Sequence, residues 1–167
     1  MEERKTVLAS MLKDEMEREA DLFTALGLQI EKLRDSFQAK EWTASLTISQ
    51  GIERFAREIE GAETARNAAF VSLKKELGYP GETAFTALLP ALPSQNREML
   101  EGSYRRLRSS VVRLKTASGR LRYSAEALAG ALNRILEGVF PLRKGKIYSR
   151  KGKPTDITGS LLIDRKL

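Results

Sequence analysis

"LEGSYRRLRSSVVRLKTASGRLRYSAEALAGALNRILEGV", residues 100–139, carries the most regular pattern in the chain. Apolar residues recur at alternating steps of four and three, which is typical of a helix that packs along other helices. Twelve positions, here called the predicted seam, form this face: Leu100, Tyr104, Leu107, Val111, Leu114, Ser118, Leu121, Ala125, Leu128, Leu132, Ile135 and Val139. Eleven of the twelve are apolar or aromatic, so this helix, roughly 60 Å long, needs helical partners.

Two further segments have helical spacing and supply those partners. Residues 3–38 and 43–77 place apolar side chains three and four positions apart, with charged residues on the other faces. Gly78 follows the second segment, at a position where glycine commonly ends a helix. The proline- and glycine-rich stretch that comes next leaves room for one short helix at about 82–89.

These segments predict an all-α fold. The third long helix covers about 94–140, because Pro141 disfavours its continuation. The expected architecture is an elongated antiparallel bundle of three long helices with one short extra helix, formed by residues 1–140.

Residues 141–167 have no helical period and contain eight basic residues, three glycines and two prolines. This composition predicts a flexible basic tail. An inert solubilising tail would lack apolar residues, whereas this one carries the cluster Leu161, Leu162 and Ile163 near its end. We therefore favour a tail that engages a partner transiently, because such segments often fold on contact.

The residue types exclude most enzyme chemistry. The chain has no cysteine and no histidine, which removes thiolate sites, the usual general base and the commonest metal ligand. We find no phosphate-binding loop and no metal-ligand spacing, so we expect neither an enzyme nor a cofactor. No apolar run is long enough to span a membrane, and the charged N-terminus does not resemble a secretory signal, which predicts a cytoplasmic protein.

The net charge of +7 is unevenly distributed. Residues 1–96 hold 12 basic and 16 acidic side chains, net −4, whereas residues 97–122 hold 8 and 2, net +6. Basic residues that grip phosphates would suit nucleic acid. They interleave with the predicted seam, however, and aromatic stacking platforms are missing. This pattern favours pairing with the acidic first helix over nucleic-acid binding.

The end of the third helix is apolar on more than one side. An intramolecular seam does not require so wide a stripe, and excess apolar surface on a helix can receive an amphipathic partner helix. A wide core is the other interpretation. The residues, here called the C-terminal stripe, are Leu128, Leu132, Ile135, Leu136, Val139 and Phe140.

Several short motifs along the whole chain resemble the FlgN family of flagellar export chaperones. They are Glu63, Arg66, Leu73 and Leu77-Gly78 in the second helix, and Tyr148, Gly152 and Leu162-Ile163-Asp164 in the tail. The family's asparagine-rich stretch in the third helix is replaced here by "ASGRLRYSAEAL", residues 117–128.

The resemblance implies a bacterial cytoplasmic chaperone without ATPase activity. It would bind hook–filament junction proteins, prevent their premature assembly and deliver them to the flagellar type III export apparatus. The C-terminal stripe, with Leu161, Leu162 and Ile163, would contact the client, and Tyr148 would help to dock the loaded chaperone at the export gate. The free protein would be a monomer or a weak homodimer.

Two other classes of protein remain open from the sequence. In a coiled-coil scaffold or oligomerisation protein, the predicted seam would pair between chains. A nucleic-acid-binding helical protein would show binding that falls steeply with salt.

Overall fold

The computed structural model of the chain describes residues 2–139 and the pairs 147–148 and 154–155; for 137–139 and the two pairs it describes the backbone alone. Every regular element between residues 2 and 139 is a helix, which confirms the predicted all-α class. The helices are α1 (Glu2–Ala39), α2 (Trp42–Leu77), α3 (Phe85–Leu88), a 3-10 turn (Leu89–Ala91) and α4 (Ser94–Val139).

The sequence predicted one short helix at about 82–89, and the structure has α3 followed by the 3-10 turn. Pro90 lies at the start of this turn, where its missing N–H costs no hydrogen bond. Beyond α4, the two-residue strands β1 (Ile147–Tyr148) and β2 (Pro154–Thr155) pair antiparallel. The chain divides into two compact units, Met1–Ala127 and Leu128–Leu167, and this division falls within α4.

In the first unit, α1 and α2 are antiparallel neighbours. Near the turn that joins them, Ser36 and Ser45 share a buried hydrogen bond of 2.8 Å between their hydroxyl oxygens. Further along both helices, the Nε of Arg66 donates to a carboxylate oxygen of Glu19 at 2.5 Å. The turn itself is tight, with Lys40 in the left-handed region at φ 59°.

The turn after α2 is fixed by its glycine and by a buried lysine. Gly78 adopts φ 75° and its backbone N–H caps the last carbonyls of α2, a conformation that favours glycine. Lys74 donates from Nζ to the carbonyl of Gly81 at 2.6 Å, and the same ammonium lies 4.6 Å from the ring centroid of Phe70. This cation–π contact and hydrogen bond hold the connection that leads to α4 against the end of α2.

The helix α4 lies along α1 and runs in the same direction. Asn96 donates to the hydroxyl of Thr6 at 3.1 Å near the start of both helices. Arg120 donates to a carboxylate oxygen of Glu31 at 3.3 Å further along. Contacts at matching positions therefore connect α1 to α4 from residue 96 to residue 120.

Two groups of buried side chains form the core of this unit. The first draws on α1, α2, the segment 89–92 and α4, and it includes the fully enclosed Leu12, Leu73 and Leu100. The second is smaller, and its buried members are Leu26, Ile30 and Ala117.

The face that α4 buries is rotated relative to the predicted seam. Ser103, Ser110 and Ala117 are buried at heptad spacing, whereas Tyr104 and Val111 are only half-buried. Ser118 was predicted in the seam and is exposed, so that assignment is wrong. The predicted seam residues Leu100 and Leu107 are buried as well, so large and small side chains alternate along the buried face of α4.

Ser110 tests this assignment of the buried face. Ser110 is buried, and its hydroxyl donates to the carbonyl of Leu107 at 2.7 Å. A larger side chain at this position would have to enter the buried face. We expect Ser110→Leu to destabilise the protein by about 1–3 kcal/mol through overpacking, measured by urea unfolding. The neighbouring exposed Ser109→Leu should change the unfolding free energy by less than about 0.5 kcal/mol. Equal effects of the two substitutions would contradict the rotated face.

The buried ion pair between α1 and α2 gives a second test. Glu19 is buried, and Arg66→Ala would leave its carboxylate without its charged partner. We expect a loss of roughly 2–4 kcal/mol in the unfolding free energy. Arg4→Ala is the matched control, because Arg4 pairs with Glu76 across the same two helices but is largely exposed, and it should cost below about 1 kcal/mol. A loss of under 1 kcal/mol for Arg66→Ala would show that the pair does not hold the two helices together.

Candidate functional site

The described part of the C-terminal stripe is mostly exposed. Leu132, Ile135 and Leu136 are 49%, 59% and 51% exposed, whereas Leu128 is half-buried. They recur at steps of four and three, or follow one another directly, so they share one side of α4. Three large aliphatic side chains within five residues thus form a local apolar surface.

The other predicted site residues lie at or beyond the end of the described helix. Val139 is the last residue of α4, and its side chain is not described. Phe140, Leu161, Leu162 and Ile163 lie outside the described residues. The backbone of Tyr148 belongs to β1 and is paired with Pro154.

The basic residues of α4 are only partly engaged by α1. Arg106 donates to Asp21 at 2.5 Å and Arg120 donates to Glu31 at 3.3 Å, as the opposite charges of the two segments predict. In each pair at least one of the two side chains is more than half exposed, so each pair contributes little to stability. Among the residues that the structure describes, Arg113 has no salt-bridge partner.

A second surface feature was missed by the sequence analysis. Two adjoining clefts, of about 350 and 590 Å³, follow the α1–α4 contact, and both are lined by Thr116 and Arg120. We call them together the α1–α4 groove. Leu28 and Val112 line its apolar part and are 61% and 57% exposed.

The sequence does contain a signal for this groove. Leu28 follows the core residue Leu26 by two positions, and Val112 directly follows Val111. Neither spacing fits a single helical face, so each of the two residues must lie away from the core. The pairing of the two across one groove could not be predicted, because it depends on the register between α1 and α4.

Four charged side chains line the groove: Arg34, Arg113, Arg120 and Glu31. Glu31 forms ion pairs with Arg34 at 2.6 Å and with Arg120 at 3.3 Å, so one carboxylate connects two guanidinium groups. Arg34 also donates to Asp35 at 2.7 Å. This hydrogen bond raises the pKa of the Arg34 guanidinium above its ordinary value, while burial opposes it. The groove therefore keeps its positive charge at any physiological pH.

Within the described residues, no group of three or more His, Cys, Asp or Glu side chains is arranged to hold a metal ion. None of the described helices combines the length and the apolar character needed to cross a bilayer.

Comparison with known proteins gives no match to a family model, to a curated protein or to a solved structure.

Proposed function

We propose that the protein is a chaperone of the FlgN type in the bacterial cytoplasm. It would hold hook–filament junction proteins before export, prevent their premature assembly and deliver them to the flagellar type III export gate. The observation that supports this proposal best is the exposure of Leu132, Ile135 and Leu136 on one side of α4. An apolar surface of this kind suits the apolar face of a client's terminal helix.

The proposed architecture is an elongated antiparallel bundle of three long helices that supports this surface. The contacts of α1 with both α2 and α4 agree with such a bundle. Three residues that carry the resemblance have structural roles in it: Leu73 is fully buried, Gly78 caps α2 and Arg66 pairs with Glu19. These three residues therefore stabilise the helices, and the proposed client-binding role rests on the C-terminal stripe.

The size of the exposed surface limits the affinity that it can provide. Burying a large aliphatic side chain completely contributes about 1.5–3 kcal/mol, so burying the remaining half of Leu132, Ile135 and Leu136 contributes about 2–4 kcal/mol. A micromolar complex requires about 8 kcal/mol. We infer that Leu128, Val139, Phe140 and the tail cluster Leu161, Leu162 and Ile163 add contacts to the client. Dependence on many partial contacts fits a chaperone that must later release its client.

The same exposed surface also favours one other class of protein. Apolar stripes on a long helix can pair with a second copy of themselves, as in a coiled-coil scaffold or oligomerisation protein. Sedimentation of the purified chain separates the two functions. The chaperone function predicts a monomer or weak homodimer that gives way to a complex when client is added, and the scaffold function predicts a tight homodimer.

The exposed stripe can be tested directly by substitution. We expect the triple change Leu132→Ser, Ile135→Ser and Leu136→Ser to abolish pull-down of a purified hook–filament junction protein. The helical content measured by circular dichroism should be retained, because the three side chains are about half exposed and belong to no core cluster.

A matched control replaces three apolar side chains of similar fractional exposure elsewhere on the helices. Val7, Met11 and Val71 are 54%, 53% and 56% exposed, close to the values of the stripe. Their triple substitution by serine should leave the pull-down unchanged. If the client still binds when the stripe is substituted, or is lost equally in the control, the stripe is not the client site.

Tyr148 separates client binding from delivery. We expect Tyr148→Ala to leave the affinity for client within about twofold of the wild type, because its proposed contact is with the export gate. Secretion of the client into the medium should fall. Isothermal titration with purified client and a secretion assay measure the two effects. A large loss of client affinity would place Tyr148 in the client site instead.

A further inference from the structure

The α1–α4 groove consists of two adjoining clefts that share Thr116 and Arg120. Its first cleft is lined by Phe23, Gly27 and Val112, and its second by Gln38 and Tyr123. On α4 the lining runs from residue 112 to residue 124, which corresponds to roughly 18 Å at 1.5 Å per residue. The groove is therefore as long as about three turns of an α-helix.

The apolar part of the groove has open space between exposed walls. Leu28 and Val112 leave most of their side-chain surface uncovered, although folded proteins usually bury such residues. On the α1 side, a Cβ added at Gly27 would meet no atom within 4 Å. Ala117 lines the same cleft with a small side chain. The site can thus take apolar side chains without rearrangement of its backbone.

The charge of the groove selects among possible occupants. Its lining contains Arg34, Arg113 and Arg120 against Glu31, an excess of positive charge. Asp35 partly offsets Arg34, but Arg113 has no salt-bridge partner among the described residues. An occupant with acidic residues beside its apolar face would be attracted.

We propose that the α1–α4 groove binds an amphipathic helix of a partner protein whose apolar stripe is flanked by Asp or Glu. Both walls are helices, so they offer no strand edge for an extended peptide, and a groove between two helices suits a third helix. The chain's own tail is a poor occupant, because residues 141–167 hold eight basic and two acidic side chains and the groove would repel them.

This proposal does not depend on the chaperone function. The groove lies in the unit Met1–Ala127, whereas Leu132, Ile135 and Leu136 lie in the unit Leu128–Leu167. Substitutions at the two surfaces therefore test the two proposals independently. If the chaperone function is disproved, the groove can still bind an acidic helix. If the groove binds no such helix, the chaperone function is unaffected.

Two synthetic peptides serve as probes for the full chain. The first is a fluorescein-labelled 14-residue helix, a length of about four turns, with Leu at helical spacing and Glu on the flanks; the second has Lys in place of every Glu. We expect the Glu peptide to bind at least about tenfold more tightly, measured by fluorescence anisotropy. Arg113→Glu should reduce this preference severalfold, whereas Arg108→Glu, an exposed position outside the lining, should not. Equal binding of the two peptides would overturn the proposed charge selection.

A pair of matched double variants locates the binding. Leu28→Ser with Val112→Ser should weaken binding of the Glu peptide about tenfold, because it removes both exposed apolar walls. Leu46→Ser with Val71→Ser is the control, since these residues are 63% and 56% exposed but line neither cleft. A similar loss in both variants, or in neither, would overturn the proposal. Circular dichroism checks that both variants keep their helical content.

Cross-linking distinguishes the possible occupants. A photoreactive benzoylphenylalanine at position 112 of the full chain should cross-link to the Glu peptide. A cross-link to residues 141–167 of the same chain that the peptide does not compete away would assign the groove to the tail. A cross-linked dimer that persists with peptide would assign it to a second copy. Either of these results would overturn the proposal.

Discussion

The buried face of α4, on which Leu100 and Leu107 alternate with smaller residues, is the constraint on which the core of the first unit depends. Ser103 and Ala117 occupy the contact at heptad spacing, with Ser110 buried between them. Ser103 also donates to the carboxylate of Glu17 in α1 at 3.1 Å, so the contact is polar at that point without leaving an unpaired group. Further around α4, basic side chains lie within reach of acidic residues of α1. Arg106 and Arg120 both make such contacts.

The same contact produces the groove on the outer side of the two helices. Leu28 and Val112 are exposed on that side, and the smaller residues Gly27 and Ala117 line the same cleft. A feature that stabilises the unit thus also creates a surface that a third helix can occupy. The core contact and the proposed docking groove are two consequences of one arrangement of side chains.

The ion pairs of the first unit differ in what they contribute to its structure and stability. The buried pair Glu19–Arg66 specifies how α1 meets α2, because an alternative register would leave the carboxylate of Glu19 without a partner. The exposed pairs between α1 and α4 are screened by solvent and contribute little to stability. They reduce the positive charge of α4 at two points and leave residues such as Arg113 available. This uneven neutralisation gives the proposed groove its preference for acidic partners.

The sequence by itself determined the helical class and the approximate extent of the long helices. Apolar residues spaced three and four apart specify a helix, and Gly78 and the prolines end one, through the local backbone alone. It also indicated that the apolar stripe at the end of α4 is wider than a seam requires. The structure finds the predicted seam residues Leu132 and Ile135 exposed together with Leu136. Only the tertiary structure decided that Ala117 is buried and Ser118 exposed. Heptad spacing is satisfied equally well by neighbouring faces of one helix, so the choice depends on the partner's side chains. The groove likewise depends on the register of α1 against α4, which no pattern within either helix specifies.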